Sequence, residues 1–345
     1  MDKKEIDITD GIRQFYVPRL NMVSSTVGYG MRNWLGSTDA FIPDNFTSER
    51  SFELSFYDIS SFLSSLASDI SRLSCASIES LNSISMAAEA KKFLAWELIK
   101  YYYSAFFAAH STLKACGFGL VQLDRIILEN IRQRANTLGM TSPTLQKGIY
   151  CFKVDPNNSK VSFFLVSKYN DSHKGLWHRY MDFLDIITGL SIETYELGSN
   201  CIKKNDLAVK PSKCIYSQMS LADAETVASR LEELKHTLNR QGDSNWLSYI
   251  RNRVNYNHSF GVWFPYRSFD EKHLQIPELK DLFMLSPLCN QFAQDSSNEL
   301  VSFVKCCQLV NSINYSIIND LAHRHPDNKS FLQQGPFSYI NRFKR

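Results

Sequence analysis

The chain has 345 residues, enough for one large domain or two ordinary ones, and 44% of them are hydrophobic, which is sufficient for a buried core. The formal net charge is only +3, with 21% charged residues. An anionic partner must therefore be bound by a local cluster of basic side chains, not by the field of the whole protein. No stretch approaches the roughly 20 apolar residues of a membrane-spanning helix, and the charged amino terminus MDKKEIDITDGIRQF has no apolar segment behind it. The sequence predicts no signal peptide, no membrane anchor and no membrane partner.

The eight cysteines are scattered along the chain, and only Cys306 and Cys307 are adjacent. They form no regular framework, so we expect reduced thiols in a cytoplasmic protein. The sequence contains neither a Cys-x-x-Cys pair nor an HExxH motif. It therefore predicts no metal and no cofactor.

The first 86 residues are predicted to form an amino-terminal extension. Residues 1–50 mix Gly, Pro, Asp and Asn with short apolar runs, a pattern typical of extended or irregular structure. Residues 57–86 are rich in serine but keep apolar residues at spacings of one, three and four, which is the period of a helix. The extension is therefore expected to be irregular at first and helical at its end.

The clearest predicted helix covers about 87–116 and ends at Gly117. Its polar residues form one narrow stripe on a surface that is otherwise apolar or aromatic, so this helix must be buried on most sides. The stripe consists of Glu97, Lys100, Ser104, Ser111 and Lys114. A second helix is predicted at 124–138, with Asp124 as its N-cap and Gly139 as its stop.

The hydrophobic period changes to two between about 146 and 168, where two apolar runs flank the turn-forming segment DPNNS. This pattern predicts a β-hairpin inserted among helices. A further helix is predicted in GLWHRYMDFLDIITGL, and residues 191–219 are predicted to be a long irregular connection. These segments together form an insertion at about 140–219.

Helical patterns return in the last third of the chain. A helix is predicted to start at Ser220 and to be closed by Gly242. Asp243 or Ser244 is then expected to cap the next helix, and a long amphipathic helix is predicted at about 298–323.

Four core helices result from these patterns, at 87–116, 124–138, 220–257 with a break near Gly242, and 298–323. A bundle is the natural way to bury them. We therefore expect a mainly α fold, in which 87–345 form a helical domain with an inserted β-hairpin and 1–86 form the extension.

The polar stretch RNRVNYNHSF, residues 251–260, interrupts an apolar context on both sides. In a helix that advances about 100° per residue, Arg251, Asn255 and His258 would share one face. Arg253 would point elsewhere, but a break of the helix after Tyr256 would let it converge on His258 as well. The competing interpretation is an ordinary solvated surface.

The residue types in this stretch suit phosphate chemistry. A guanidinium is a charge-assisted, bidentate donor to phosphate oxygens, and an imidazole can accept or donate a proton near neutral pH. Asparagine amides can orient both groups. Buried Arg and His side chains need such partners.

The segment RNRVNYNH resembles the signature of the HEPN superfamily (higher eukaryotes and prokaryotes nucleotide-binding), an Arg, often followed by Asn, with a His four to six residues further on. Arg251-Asn252 with His258 matches the longest spacing, and Arg253 with His258 matches the shortest. The segment WELIKYYYSAFFAAHSTLKACG is similar to the aromatic and alanine-rich first helix of that superfamily. One branch of toxins has a Tyr two residues after the His, where this chain has Phe260.

The resemblance implies a metal-independent endoribonuclease that acts as a toxin or anti-phage defence effector, with an antitoxin or sensor protein as a further partner. Such enzymes cleave RNA by attack of the 2′-hydroxyl in the cleft of a homodimer, to which each subunit contributes its Arg and His. Trp263 and Phe264 are expected to contribute apolar surface to the dimer.

The expected catalytic residues are Arg251, His258, Asn252, Arg253 and Asn255, and the expected RNA-binding residues are Arg240, Arg267 and Tyr256. In this scheme the arginine stabilises the phosphorane, and His258 is the general base or general acid. Two alternatives remain open. The domain can be a catalytically inactive module that binds RNA or a nucleotide, or an antitoxin-like structural partner whose Arg and His satisfy each other.

Other candidate sites carry weaker signals. His323-Arg324-His325 and the pair Cys306-Cys307 suggest a metal or thiol-hydrolase site but match no such motif. Gly28-Tyr29-Gly30 is too short to be a phosphate-binding loop. His110 is expected to be a satisfied core histidine, and the tyrosines at 101–103 are expected to pack in the core, with one of them free to face RNA.

Overall fold

The computed structural model describes residues 9–26, 28–37, 39–85, 94–155, 157, 159–166, 171–201, 221–263 and 298–343. Within this part of the chain the helices are α1 (Thr9–Ile12), α2 (Met31–Gly36), α3 (Ile59–Ser85), α4 (Leu94–Ala115), α5 (Arg125–Thr137), α6 (Ser172–Cys201), α7 (Leu221–Leu238), α8 (Trp246–Asn255), α9 (Glu299–His323), α10 (Phe331–Gln334) and α11 (Pro336–Phe343). The strands are β1 (Phe41–Ser48), β2 (Ser51–Phe56), β3 (Phe118–Leu123), β4 (Gly148–Asp155) and β5 (Lys160–Leu165).

The five strands form an antiparallel sheet in the order β1-β2-β5-β4-β3. The prediction of a mainly α bundle with only an inserted hairpin is therefore wrong, because the protein has a mixed α and β fold with a sizeable sheet. The predicted hairpin is present as β4 and β5. It forms two of five strands and is not an isolated embellishment.

Strands β1, β2 and β3 were not predicted, and the local sequence of β1 argued against a strand. Strand β1 contains Pro43, Asp44 and Asn45, residue types that disfavour strands, and its pairing with β2 is irregular on both sides of Asn45. Strand β2 is held between β1 and β5, and β5 lies more than 100 residues later in the chain. The residue types around Asn45 and the irregular pairing of β1 left no alternating pattern in that segment.

The chain divides into two compact units. Unit 1 consists of Met1–Gln14, Ala76–Ala109 and Trp177–Ile317, and unit 2 consists of Phe15–Cys75, His110–Leu176 and Ile318–Arg345. These units cut across the expected boundary at residue 86. Strands β1 and β2, which were assigned to the extension, belong to the same unit as the predicted hairpin.

Unit 2 contains the sheet, one face of which carries a layer of aromatic side chains. Phe52 and Phe163 stack across β2 and β5 with ring centroids 4.8 Å apart, and Phe152 follows on β4. Gly119 on β3 pairs with Phe152, and a Cβ at Gly119 would lie 2.8 Å from that ring. A glycine is required there because the phenyl ring occupies the space of a side chain.

A buried ion pair also lies in unit 2. Lys114 Nζ is 2.7 Å from Asp69 Oδ2, and the two residues are 4% and 6% exposed. Asp69 also accepts hydrogen bonds from Arg72 and from the backbone N–H of Met31. Burial alone would raise the pKa of the Asp69 carboxyl, but Lys114 and Arg72 outweigh it and hold that pKa below its ordinary value.

Unit 1 is helical throughout its described residues, apart from turns. Trp246 on α8 packs edge-to-face on Phe303 of α9, with ring centroids 6.4 Å apart. A buried polar chain also joins three helices, because Asn311 of α9 donates to Ser104 Oγ of α4 and accepts from Ser77 Oγ of α3. These contacts fix α4, α8 and α9, the helices that carry the candidate site.

Several helix predictions are confirmed, namely α3, α4, α5 and α9. Asp124 caps α5 as expected, since its side chain accepts a hydrogen bond from the N–H of Ile127 at 3.0 Å. Two predictions are wrong in detail. Residues 191–201 are the end of helix α6 instead of an irregular connection, and Asn245 is the N-cap of α8 in place of Asp243 or Ser244.

Residues 202–219, the rest of the predicted connection, lie outside the described part of the chain, as does the predicted helix start at Ser220. None of the helices that the structure describes is both long enough and apolar enough to cross a membrane.

Candidate functional site

Helix α8 carries the first half of the polar stretch and buries its apolar side. Trp246, Leu247, Ile250 and Val254 are each 1% exposed or less, and their spacing is that of one helical face. The helix ends at Asn255, and Tyr256 is its C-cap. His258 therefore lies in the following turn and does not continue the helical face that Arg251 and Asn255 share.

Arg251 is the most deeply buried basic residue of the stretch, with 8% of its surface exposed. Its Nη1 donates a hydrogen bond of 2.8 Å to Asn252 Oδ1, and its Nε is buried without a hydrogen-bond partner. No carboxylate pairs with this guanidinium among the described residues. A buried cation without a paired carboxylate is costly, and among the described residues only aromatic faces and the Asn252 amide compensate it.

Two aromatic rings of α4 pack against the Arg251 guanidinium. Its Cζ lies 5.1 Å from the centroid of the Tyr102 ring and 5.9 Å from that of Tyr103. The Tyr102 hydroxyl accepts a hydrogen bond from Trp177 Nε1 and shares one with Ser248 Oγ at 2.8 Å. Burial raises the pKa of Tyr102 to about 12, so the phenol stays neutral.

The Arg253 guanidinium interacts with Glu299 and with the Phe260 ring. Its Nη1 lies 2.7 Å from Glu299 Oε2, and its Cζ lies 4.3 Å from the centroid of the Phe260 ring. The two partners of this ion pair are 27% and 36% exposed. Both interactions compete with binding of a phosphate, so the structure distinguishes the two arginines by their surroundings.

The turn after α8 has an unusual backbone. His258 and Phe260 have φ angles of +48° and +71°, in the left-handed region, and Gly261 follows with +67°. Histidine tolerates this region better than most residues, but a bulky Phe does not. Strain of this kind costs on the order of 1–3 kcal/mol and is concentrated at functional sites.

The His258 side chain is exposed, and its ring packs edge-to-face against Trp263 at 6.2 Å. Trp263 Nε1 donates a hydrogen bond of 2.6 Å to the carbonyl of Val254, which ties the turn back to the end of α8. Trp263 also packs edge-to-face on Trp96 of α4, with ring centroids 5.3 Å apart. The imidazole therefore has one aromatic neighbour, Trp263, which is itself tied to α8 and to Trp96 of α4.

The remaining predicted residues differ in burial and in their contacts. Asn255 is half-buried, one helical turn beyond Arg251, and Tyr256 is 67% exposed. The Arg240 guanidinium lies 4.8 Å from the centroid of the Trp246 ring. Arg267 and Phe264 lie outside the described residues.

Sequence reasoning missed four residues that shape the site. Ser248 and Trp177 hold the Tyr102 hydroxyl, Glu299 occupies Arg253, and Trp96 supports the turn through Trp263. The aromatic-rich sequence of α4 was the available signal. It did not reveal which ring meets Arg251, because that contact joins residues about 150 positions apart.

The thiols of the competing site are buried and are expected to stay protonated. Cys306 and Cys307 are fully buried, and burial raises the pKa of both thiols far above the ordinary value. His325 Nδ1 accepts backbone N–H groups of Asp327 and Lys329, which is a structural role. In the part of the chain that the structure describes, no three His, Cys, Asp or Glu side chains are close enough to hold a metal.

Two other weak candidates also have structural explanations. Gly30 precedes α2, and a Cβ there would lie 2.1 Å from Asp69 Oδ1, so the glycine allows the carboxylate to approach the helix start. Burial lowers the pKa of His110 to about 3, with Lys114 and His173 adding to the effect. An imidazole that stays neutral over the whole physiological range is a poor acid catalyst.

Comparison with known proteins found no relative of this chain. No family model, no curated protein and no solved structure matches the chain.

Proposed function

We propose that the protein is a metal-independent endoribonuclease, with Arg251 and His258 at its active site. The observation that carries this proposal is the buried Arg251 guanidinium, which has an unpartnered Nε and no carboxylate among the described residues. A phosphate group would supply the missing charge and the missing acceptor together. The HEPN-like spacing to His258 then suggests what happens to that phosphate.

Arg251 would bind the non-bridging oxygens of the scissile phosphate. Its guanidinium is held in place by the Tyr102 ring below and by Asn252 at its edge. A donor that is already oriented stabilises the developing charge of the phosphorane without further rearrangement. This role selects Arg251 over Arg253, whose charge is matched by Glu299.

His258 would move the protons. The 2′-oxygen of the ribose attacks the adjacent phosphorus while an imidazole removes the hydroxyl proton. The bond from phosphorus to the 5′-oxygen breaks, and the leaving oxygen is protonated. The products are a 2′,3′-cyclic phosphate and a free 5′-hydroxyl, and general acid or base catalysis of this kind contributes typically about 10²- to 10⁴-fold in rate. The exposed position of His258 leaves it accessible to a substrate.

The other predicted residues have supporting roles in this proposal. Asn252 orients Arg251, and the half-buried Asn255 lies close enough in sequence to contact the same phosphate. Tyr256 offers an exposed ring for an RNA base. Arg240 and Arg267 remain predicted contacts of the RNA backbone.

We further propose the biological setting implied by the resemblance, a cytoplasmic toxin or anti-phage effector that acts as a homodimer and is controlled by an antitoxin or sensor protein. A single Arg and His pair is a sparse site, so two copies are expected to face each other across a two-fold axis. Light scattering at micromolar concentration tests this, and a fully active monomer would contradict it.

The decisive experiment is cleavage of total RNA by the purified chain in EDTA. We expect cleavage, at least a hundredfold loss in His258→Ala, and no loss in His236→Ala, a matched control with an exposed histidine on α7. The products should be labelled by polynucleotide kinase without prior phosphatase. Products labelled only after phosphatase, inhibition by EDTA, or a fully active His258→Ala variant would contradict the proposal.

A second candidate function is an inactive module that binds RNA or a nucleotide. One observation favours it, because the His258 ring makes no hydrogen bond within the described residues that would fix its tautomer. The same purified protein separates the two. Binding of RNA that depends on Arg251, without cleavage by the parent, would establish the second candidate in place of the first.

A further inference from the structure

Trp96, which packs on Trp263 beside His258, is more exposed than its support of the turn requires. Trp96 is 54% exposed, although tryptophan is normally one of the most buried side chains of a helix such as α4. Its neighbour Trp263 is already held by the Val254 carbonyl and by the edge of the His258 ring. An exposed indole next to a site of this kind offers a free aromatic face to a ligand.

The spacing along α4 relates this pair to the phosphate position. Trp96 and Tyr103 are seven residues apart, so they lie on one face of the helix and about 10 Å apart along its axis. Tyr103 contacts the Arg251 guanidinium, whereas Trp96 contacts Trp263. A phosphate at Arg251 and a ring stacked on Trp96 would therefore be about 10 Å apart, a distance that a short piece of one RNA strand covers.

The chemistry of the two ends specifies the ligand. The Arg251 end needs an anion, and the Trp96 end offers an uncharged aromatic surface of large area. A nucleic acid strand supplies both only where a base is unpaired, because a base inside a duplex is already stacked on both faces. A protein partner would need an acidic group and an apolar group at the same spacing. An RNA strand meets this requirement more readily, because every nucleotide carries both a phosphate and a base.

We infer that Trp96 and Trp263 form a base-stacking platform that makes the protein select unpaired nucleotides next to the phosphate bound by Arg251. This inference rests on the proposed function in taking RNA as the ligand. It adds the substrate class, single-stranded RNA, and names Trp96 as the specificity-determining residue.

The test is binding of a labelled, fully 2′-O-methylated 12-mer, which cannot be cleaved by attack of a 2′-hydroxyl, measured by fluorescence anisotropy as a single strand and as a duplex. The parent chain should bind the single strand more tightly. Trp96→Ala should weaken single-strand binding at least tenfold and leave duplex binding within twofold, and Trp96→Phe should restore affinity to within about threefold of the parent. Tyr57→Ala, which removes a 74% exposed ring in unit 2, is the matched control and should bind like the parent.

The outcomes separate this inference from the proposed function. Trp96-dependent, single-strand-specific binding by a parent chain that cuts no RNA would overturn the nuclease and support the platform. Cleavage of RNA by a Trp96→Ala variant with unchanged affinity and unchanged strand preference would overturn the platform alone. Conversion of a dimer into a monomer by Trp96→Ala, without loss of RNA affinity, would instead assign Trp96 to an interface between copies and would also overturn it.

Discussion

Among the described residues, each unit buries one lysine or arginine side chain, and the two have different partners. In unit 2, Lys114 is 4% exposed and forms a 2.7 Å ion pair with Asp69. In unit 1, Arg251 is 8% exposed. It contacts the Tyr102 ring and donates a hydrogen bond to Asn252, but no carboxylate pairs with it among the described residues. The first arrangement is complete in itself. In our proposal the second is completed by the phosphate of a bound RNA, so burial of charge would serve binding in unit 1 and structure in unit 2.

The same substitution at both positions gives the sharpest contrast and the largest effect. Lys114→Met should destabilise the fold by about 3 kcal/mol, because it leaves the Asp69 carboxylate buried without its main partner. Arg72, which is 3.0 Å from Asp69 but largely exposed, compensates only in part. The measurement is the free energy of unfolding in urea.

The matched control is the Asp69→Asn, Lys114→Met double variant, which should recover part of the loss because no unpaired charge remains. A Lys114→Met variant with the stability of the parent would show that the ion pair does not hold unit 2 together.

His110 of unit 2 should make the free energy of unfolding depend on pH. Since its folded pKa is about 3, against an ordinary value near 6.5, the unfolded state binds the proton more tightly between these limits. Stability from this group is therefore complete above about pH 6.5 and is lost as the pH falls toward 3. The full slope is about 1.4 kcal/mol per pH unit, and we expect less because His110 as a residue is only half-buried.

His110→Gln should reduce the slope of the unfolding free energy against pH between pH 6 and pH 4. His236→Gln, at an exposed position on α7, should keep the slope of the parent. Equal slopes in the parent and in His110→Gln would contradict the assignment of a neutral, desolvated imidazole.

Arg251→Met should change stability by no more than about 1 kcal/mol, in either direction. The substitution removes an uncompensated buried charge and also removes its contact with the Tyr102 ring, and these effects oppose each other. Affinity for the uncleavable single strand should fall at least tenfold. A loss of stability as large as that of Lys114→Met would mean that Arg251 has a structural counter-charge and would remove the main argument for a phosphate site.

The contrast between the units also shows what the sequence could and could not predict. The helices α3, α4, α5 and α9 were predictable because their apolar period is local. Strand β1 was not, because only its pairing with β2 and the wider sheet makes a strand of a segment that contains Pro43 and Asn45. The same limit applies to the site. The spacing of Arg251 and His258 is visible in the sequence. The Tyr102 ring that contacts Arg251 and the exposed Trp96 indole near His258 are not, because both belong to α4, about 150 residues earlier in the chain.

The smallest effect is expected at the second arginine. Because Arg253 and Glu299 are both partly exposed, their ion pair should contribute only about 0.2–1 kcal/mol to stability. Glu299→Gln keeps the size of the side chain and removes its charge, so the free energy of unfolding should fall by no more than this amount. RNA cleavage should stay within twofold of the parent, because in our proposal Arg253 binds no phosphate.

This variant also decides between the two spacings of the motif. If Arg253 were the arginine that binds the scissile phosphate, loss of Glu299 would free its guanidinium and change cleavage more than tenfold, while Arg253→Gln would abolish activity and Arg251→Lys would not. If Arg251 has that role, Arg253→Gln stays active and Arg251→Lys fails, because an ammonium group lacks the planar fork that the Tyr102 ring and Asn252 hold in place. The short ion pair of Arg253 with Glu299 and the unpartnered Nε of Arg251 both favour the second result.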